Sequence, residues 1–229
     1  MIEDYQFYSY TLKGFEALIP FLDYLKKQNI TSFIDVGSNH GVLTTIIADY
    51  FNVELAHGID LDANRVEFCK INFGDKINFI CSDFLDLQDF EEKVDLITCF
   101  GVLEHNLNWD AFINKMKAHL NPNSYLLIGV PNLGSWLNRV SLLLGYQPRD
   151  LEISENKLYG TMFGYNITGH IKGATLRGIV DFLKGNGFEI VKVKPVVSKE
   201  TKWANVVDKL LSPFAGLSRR LLILAKYTE

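Results

Sequence analysis

The feature that most limits what this chain can fold into is an alternation. From Ser32 to Val130, short apolar runs of strand length take turns with stretches whose apolar residues recur at helical spacing. Ser32–Gly37, Leu55–Asp60, Ile77–Ser82, Val94–Phe100 and Tyr125–Val130 read as strands. Gly41–Phe51, with Val42, Ile46, Ile47 and Tyr50, reads as a helix packed on a sheet, as do Asn64–Phe73 and Trp109–Leu120. Strands alternating with helices imply a parallel sheet with right-handed crossovers, because parallel neighbours need a long return connection. Asn121-Pro122-Asn123-Ser124 reads as a turn between helix and strand.

The alternation has a preface and an interruption. Leu12, Phe15, Leu18, Ile19, Leu22 and Leu25 make an opening helix within residues 1–30, ended by Lys26 and Lys27, where the helix dipole favours cations. Beyond Pro131 the rhythm breaks. Residues 133–173 read as an insertion able to cover a site, with a helix at Trp136–Leu144 and a Gly- and Tyr-rich stretch at Tyr159–Gly173. Regularity returns with a helix at Ala174–Lys184, a Gly185-Asn186-Gly187 stop, and an alternating strand at Phe188–Val196. A helix near Trp203–Leu211 and an apolar run at Leu221–Lys226 follow.

With 229 residues, 48% of them hydrophobic, the chain has material for one sizeable core, and a single domain over 1–229 is expected. A formal charge of -4 gives no general attraction for phosphate backbones, so nucleic acid is not an expected partner. Cys69, Cys81 and Cys99 sit in apolar segments without CxxC spacing and read as reduced core residues. The acidic N-terminus is unlike a secretory signal, and no apolar run approaches the roughly eighteen residues of a membrane span. A soluble, cytoplasmic protein is therefore expected.

The segment Phe33-Ile-Asp-Val-Gly-Ser-Asn-His-Gly41 joins the first strand to the first helix, where glycines allow a tight turn and close approach of a ligand to backbone. Asp60 closes the second strand, where a carboxylate can accept from ribose hydroxyls. Ser82-Asp83 closes the third. Three successive strand ends thus carry polar groups along one carboxyl edge, the expected ligand crevice of such a sheet.

On these residues the chain resembles, over nearly its whole length, the class I S-adenosylmethionine-dependent methyltransferases. Asp35-Val-Gly-Ser-Asn-His-Gly41 stands where that superfamily carries an acidic residue followed by GxGxG. The resemblance implies an α/β, Rossmann-like sandwich. Its sheet would be mostly parallel and seven-stranded with an antiparallel last strand, helices on both faces, and a small helical and loop insertion after strand five. It further implies S-adenosylmethionine as cofactor. Asp35, Gly37 and Gly41 would shape the pocket for its methionine part, with Ser38 and Asn39 also binding the cofactor, and Asp60 would hold the ribose. Leu61 and Phe84 would flank the adenine and Asp83 would receive its amino group, with Ser82, Phe100 and Gly101 as further cofactor-binding residues. Asn39 replaces the middle glycine, and asparagine tolerates left-handed backbone better than most residues.

The segment Asp95-Leu-Ile-Thr-Cys-Phe-Gly-Val-Leu-Glu-His105 resembles the family's stretch after strand four, and the next strand ends in Pro131-Asn132. Enzymes of this superfamily that methylate amino groups of bases or glutamine commonly carry an Asn/Asp-Pro-Pro-Tyr/Phe motif there; Phe100-Gly-Val-Leu argues against that subclass. Methyl transfer from a sulfonium is a direct displacement that needs alignment and exclusion of water, and no metal is required. A hydroxyl acceptor adds the need for a base, and His105 and His170 are the two candidates. Each also has a plain structural reading, as a helix-initiating or hydrogen-bonded loop residue. His57 and His119 read as structural, and His40 as a local contact of the loop.

Tyr159, Phe163 and Tyr165 can wall an acceptor pocket or close a core, and Asn166 is a polar candidate beside them. Trp203, Val206, Val207, Leu210, Leu211 and Phe214 form an apolar helical stripe, for which core packing, a dimer contact and a membrane surface are the alternatives. The second half resembles type 11 or 12 methyltransferase-domain proteins, which implies a small-molecule, sugar or lipid-linked glycan hydroxyl as acceptor. Two rivals stand beside this reading. A nicotinamide-dependent oxidoreductase would need GxGxxG, and Gly37-Ser-Asn-His-Gly41 lacks its second and third glycines. A non-catalytic protein that keeps the fold is the other.

Overall fold

The computed structural model describes residues 16–90, 92–162, 164–196, 202–211 and 213–228, and of residues 202–205 the backbone alone. Seven strands form one sheet: β1 (Ser32–Val36), β2 (Leu55–Asp60), β3 (Asn78–Cys81), β4 (Val94–Phe100), β5 (Leu120–Pro131), β6 (Phe188–Val196) and β7 (Arg220–Tyr227). Their hydrogen-bonded order is β3-β2-β1-β4-β5-β7-β6, with β7 antiparallel. The helices around it are α1 (16–25), α2 (Val42–Phe51), α3 (Ala63–Phe73), α4 (Trp109–Ala118), α5 (Trp136–Leu143), α6 (Leu176–Gly185) and α7 (Lys202–Leu211). This is the Rossmann-like architecture that the alternation and the resemblance imply.

By contact the chain divides into two compact units, Met1–Cys99 with Asp110–Leu127 and Lys226–Glu229, and Phe100–Trp109 with Ile128–Ala225. In the first unit β1 lies between β2 and β4, parallel to both, with Asp35 level with Gly58 on one side and Thr98 on the other. Phe33, Ile34, Asp35 and Val36 are all buried, as expected of a parallel strand covered on both faces. β2 and β3 pair in parallel with Gly58 beside Phe79, and a Cβ at position 58 would lie 2.5 Å from the Phe79 ring. Helix α1 buries Leu18, Leu22 and Leu25 of the stripe read from sequence, and Phe21 besides, while Ile19 is exposed; Leu12 and Phe15 lie outside the described residues.

Helix ends are fixed by local chemistry. Asp62 caps α3 by accepting from the amides of Asn64 and Arg65, Ser135 caps α5 through Asn138, and Thr175 caps α6 through Gly178. The helix expected from Ala174 therefore starts at Leu176. Strand β5 begins at Leu120, not Tyr125: the segment read as a turn lies within the extended run, and Asn123 keeps only a left-handed kink at φ 71°. Cys69 and Cys99 are buried, but Cys81, at the end of edge strand β3, is exposed, contrary to the expectation for all three.

In the second unit the apolar stripe of α7 and the residues just after it is largely turned outward. Val206, Leu210 and Phe214 are exposed, while Asp208 is buried, accepting from Arg219 Nε at 2.9 Å and from Trp136 Nε1 at 2.8 Å. The charged anchor has taken the inward position; the side chain of Trp203 is outside the described residues. No helix among the described residues is long and apolar enough to cross a membrane.

Candidate active site

The loop after β1 is built around three left-handed residues: Gly37 at φ 80°, Asn39 at 52° and Gly41 at 72°. Asn39 thus adopts the backbone that a middle glycine would supply, as asparagine can at modest cost. At Gly41 the space is also closed, since a Cβ would lie 2.9 Å from Cys69 Sγ and 3.0 Å from the Phe79 ring. The amides of Gly37 and Ser38 both donate to Ile59 O, at 2.8 and 2.9 Å, which ties the loop to β2.

Asp60 completes that tie. Its Oδ2 accepts from the Asn39 amide at 2.8 Å and its Oδ1 from the Asp62 amide at 3.0 Å. Each carboxylate oxygen keeps a further lone-pair direction. Two buried polar atoms of the loop, Ser38 Oγ and Asn39 Oδ1, have no hydrogen-bond partner. Such atoms are costly unless something supplies the missing bond. At the end of β3, Asp83 Oδ1 accepts from the Leu85 amide at 2.9 Å, and Ser82 Oγ donates to Asp83 O at 2.8 Å.

Two expectations change in detail. Asp35 does not open onto a pocket; it is buried beneath the loop, accepting from Thr44 Oγ1 at 2.6 Å and Thr98 Oγ1 at 2.7 Å. Burial raises its pKa, the two hydroxyls oppose that, and the charge of Asp60 adds to it. Burial likewise pushes the Cys69 thiol up to about 11, with Asp60 and Asp35 contributing. Phe84 does not offer a ring to a ligand: at 4% exposure it packs on Phe112 and His119, because the core of the first unit claims it. Leu61 is 70% exposed and remains available.

The second unit brings together residues far apart in sequence. Phe100 lies over Gly129, where a Cβ would meet its ring at 2.9 Å, and the Gly101 amide, at φ 69°, donates to Gly129 O at 2.9 Å. A 3-10 turn at Leu103–His105 follows. His105 is exposed, and its Nδ1 lies 3.0 Å from Gly169 O. A carbonyl only accepts, so Nδ1 carries the proton and Nε2 the lone pair in the neutral ring. The His105 and His170 rings meet edge to face at 4.9 Å between centroids.

His170 is buried, with Nε2 3.6 Å from Glu104 Oε1 and Nδ1 3.9 Å from Asp150 Oδ1. Burial pulls its pKa down to about 4, helped by the charge of His105 and opposed by Glu152. Burial raises that of Glu104. The loop bearing His170 is clamped by Glu152, which accepts from the Thr168 amide at 3.0 Å, Thr168 Oγ1 at 2.7 Å and the His170 amide at 2.9 Å. Burial pushes Glu152 up, but these bonds together hold its carboxyl below the usual value. The backbone oxygen of Glu104 accepts from the amides of Ile171 and Lys172, both at 3.1 Å.

Sequence reasoning missed Glu104, Asp150 and Glu152. Only Glu104, adjacent to His105, carried any signal. Of the proposed wall, Tyr159 is 53% exposed, Asn166 is exposed, Tyr165 stacks under Arg149 at 4.9 Å, and Phe163 lies outside the described residues. His57 stacks on Phe90 at 4.1 Å, and His119 Nδ1 lies 2.8 Å from Lys115 O, both structural placements.

A family model described as a methyltransferase domain, of type 23 rather than 11 or 12, matches residues 10–193. A ubiquinone biosynthesis O-methyltransferase of Rickettsia felis is 28% identical over 100 residues, 43% of this chain and 41% of that protein. The match thus spans well under half the relative's length. Among solved structures, an S-adenosylmethionine-dependent methyltransferase from Mesorhizobium loti superposes with a TM-score of 0.61 at 14% identity, covering 92% of this chain and 97% of that one. Magnesium protoporphyrin IX methyltransferase from Synechocystis, solved with bound S-adenosylhomocysteine, gives 0.59 at 15% identity, covering 95% and 84%. At these identities the superpositions speak for the fold.

Proposed function

We propose that this chain, which belongs to the methyltransferase-domain family and is a class I S-adenosylmethionine-dependent methyltransferase, methylates a hydroxyl oxygen of a small organic acceptor, sugars and lipid-linked glycans among them. The observation that carries the choice of oxygen is the His105 Nδ1 contact to Gly169 O, which leaves a lone pair on Nε2 at an exposed position. An amine acceptor is nucleophilic once neutral, whereas a hydroxyl gains most from a base that takes its proton. The O-methyltransferase name of the Rickettsia relative supports the same choice.

The loop residues fit the cofactor. Left-handed Gly37, Asn39 and Gly41 expose backbone to it, Ser38 Oγ and Asn39 Oδ1 have bonds to give or accept, and Asp60 retains lone pairs for ribose hydroxyls. Leu61 and the Ser82-Asp83 turn belong to the adenine end. When bound, the cofactor supplies an electrophilic methyl group on a sulfonium. The chain's own residues then have three tasks: the loop and Asp60 orient, apolar neighbours exclude water, and His105 Nε2 holds the acceptor's proton, with His170 behind it.

Calorimetric titration with S-adenosylmethionine, S-adenosylhomocysteine and NAD tests the first part. Binding of both adenosyl compounds and not NAD is expected; NAD binding alone would overturn the assignment. Paired hydroxyl and amine acceptors test the second part, and turnover of amines only would remove the oxygen reading.

A further inference from the structure

The cluster in the second unit has a property that proton transfer leaves unexplained. Glu104 is 2% exposed, and its Oε2 is buried without a hydrogen-bond partner. Its other oxygen faces His170 Nε2 at 3.6 Å, too long for a hydrogen bond. A buried carboxylate oxygen without a donor is costly, and structures normally supply a proton, an ion pair or a metal. The gap has the length of a polyhedron edge: two ligands of one tetrahedral ion at ordinary metal–nitrogen and metal–oxygen distances stand about 3.4 Å apart.

The third group completes the pattern. Glu104, His105 and His170 each offer a ligand atom, and these atoms all lie within 4.8 Å of one another. His105 gives its Nδ1 proton to Gly169 O, the arrangement in which a metal-bound imidazole is usually found, with one nitrogen pinned by a carbonyl and the other left to ligate. The two ligand-bearing segments are held together by backbone, through Ile171 and Lys172 donating to Glu104 O. Glu152 fixes the His170 loop from behind. The ligands are thus supported by a second layer before any ion arrives.

We propose that Glu104, His105 and His170 bind one divalent first-row cation, Zn2+ being the type that two imidazoles and a carboxylate suit. Mg2+ and Ca2+ prefer all-oxygen sites and fit this set poorly. Three protein ligands leave a position open, and an acceptor hydroxyl held there is more acidic, since the ion stabilises its oxyanion. That use of the ion rests on the oxygen-acceptor reading above; its binding does not. In the loaded protein His105 is a ligand, and the hydroxyl's proton passes to solvent.

The experiment is a cobalt titration of the full chain after exhaustive chelation, read by visible d–d absorption. Wild type is expected to bind one Co2+ per chain, displaceable by Zn2+, and Glu104→Gln and His105→Ala to bind it more than about 100-fold more weakly. Asp60→Ala is expected to titrate like wild type. S-adenosylhomocysteine calorimetry on the Glu104 and His105 variants serves as the folding control. Absence of the band in wild type, or equal titration of correctly folded Glu104→Gln, overturns the site. A protein without the band that still methylates a hydroxyl loses the cation and keeps the acceptor reading; a protein with the band that methylates only amines does the reverse.

Discussion

The loop edge of the first unit and the cluster of the second both gather acids beside backbone turns, yet they handle polarity in opposite ways. In the first, three acids accept from backbone amides: Asp60 from Asn39 and Asp62, Asp62 from the start of α3, Asp83 from Leu85. The loop holds its shape through its own hydrogen bonds. In the second, the side chains face one another, with Glu104 Oε2 unpartnered and His170 beside it. The surrounding backbone, Glu152 and His105 Nδ1 are satisfied. The lesson is that acids already bonded to their own backbone hold a site ready before its ligand comes, whereas unsatisfied ones are a request for a third party.

Mutations can break that contrast, beginning with the most severe. His105→Ala is expected to reduce turnover by about 100-fold or more while cofactor affinity stays within about twofold, measured by initial rates and calorimetry. Equal loss of both would mean that the two clusters are not separable. Asp60→Ala removes charge-assisted bonds and strands two amides, so S-adenosylhomocysteine affinity should fall about 100-fold, the equivalent of about 2.7 kcal/mol. Unchanged affinity would show that the loop needs no tie.

Glu152→Ala leaves three donors without their acceptor, and a stability loss of about 2 kcal/mol in denaturant titration is expected, with cofactor affinity retained. Asp35→Asn sharpens the comparison from the other side. The folded pKa of Asp35 is raised, so the cost of burying its charge is absent below the unfolded value near 3.9 and grows as pH rises toward the folded value. The stability of the Asp35→Asn variant relative to wild type, followed by denaturant titration across pH, should therefore increase over that window and stay level above it. The smallest effect is expected at Asn39→Gly, within about 1 kcal/mol, because the backbone is already left-handed; Asn39→Val should cost about 1–2 kcal/mol.

What was legible in the sequence follows the same division. The strand-to-helix turn at Gly37–Gly41 and the acid ending β2 were readable because their chemistry is local: turn residues, caps and strand ends leave marks within a few positions. The burial of the Phe84 ring was not readable, because adjacency to Asp83 says nothing about which way a ring turns. Glu104 was passed over because its neighbour across space, His170, is far along the chain, in an irregular stretch with no periodicity to anchor it. Asn123 was readable as a turn residue but not as part of a strand, since a turn residue inside an extended run looks the same from sequence.

The anchoring of α7 by Asp208, Arg219 and Trp136 bears on how this surface can evolve. A charged hasp prescribes direction and asks almost nothing of volume, unlike an oily seam in which each side chain must fit its neighbours. Drift at positions 206, 210 and 214 is therefore invisible to the fold, while a change at 208 is not. Among diverged copies of this protein, the inner residue of that helix should be frozen and its outer ones should wander, and any lineage in which the outer ones also stand still has found a second use for them.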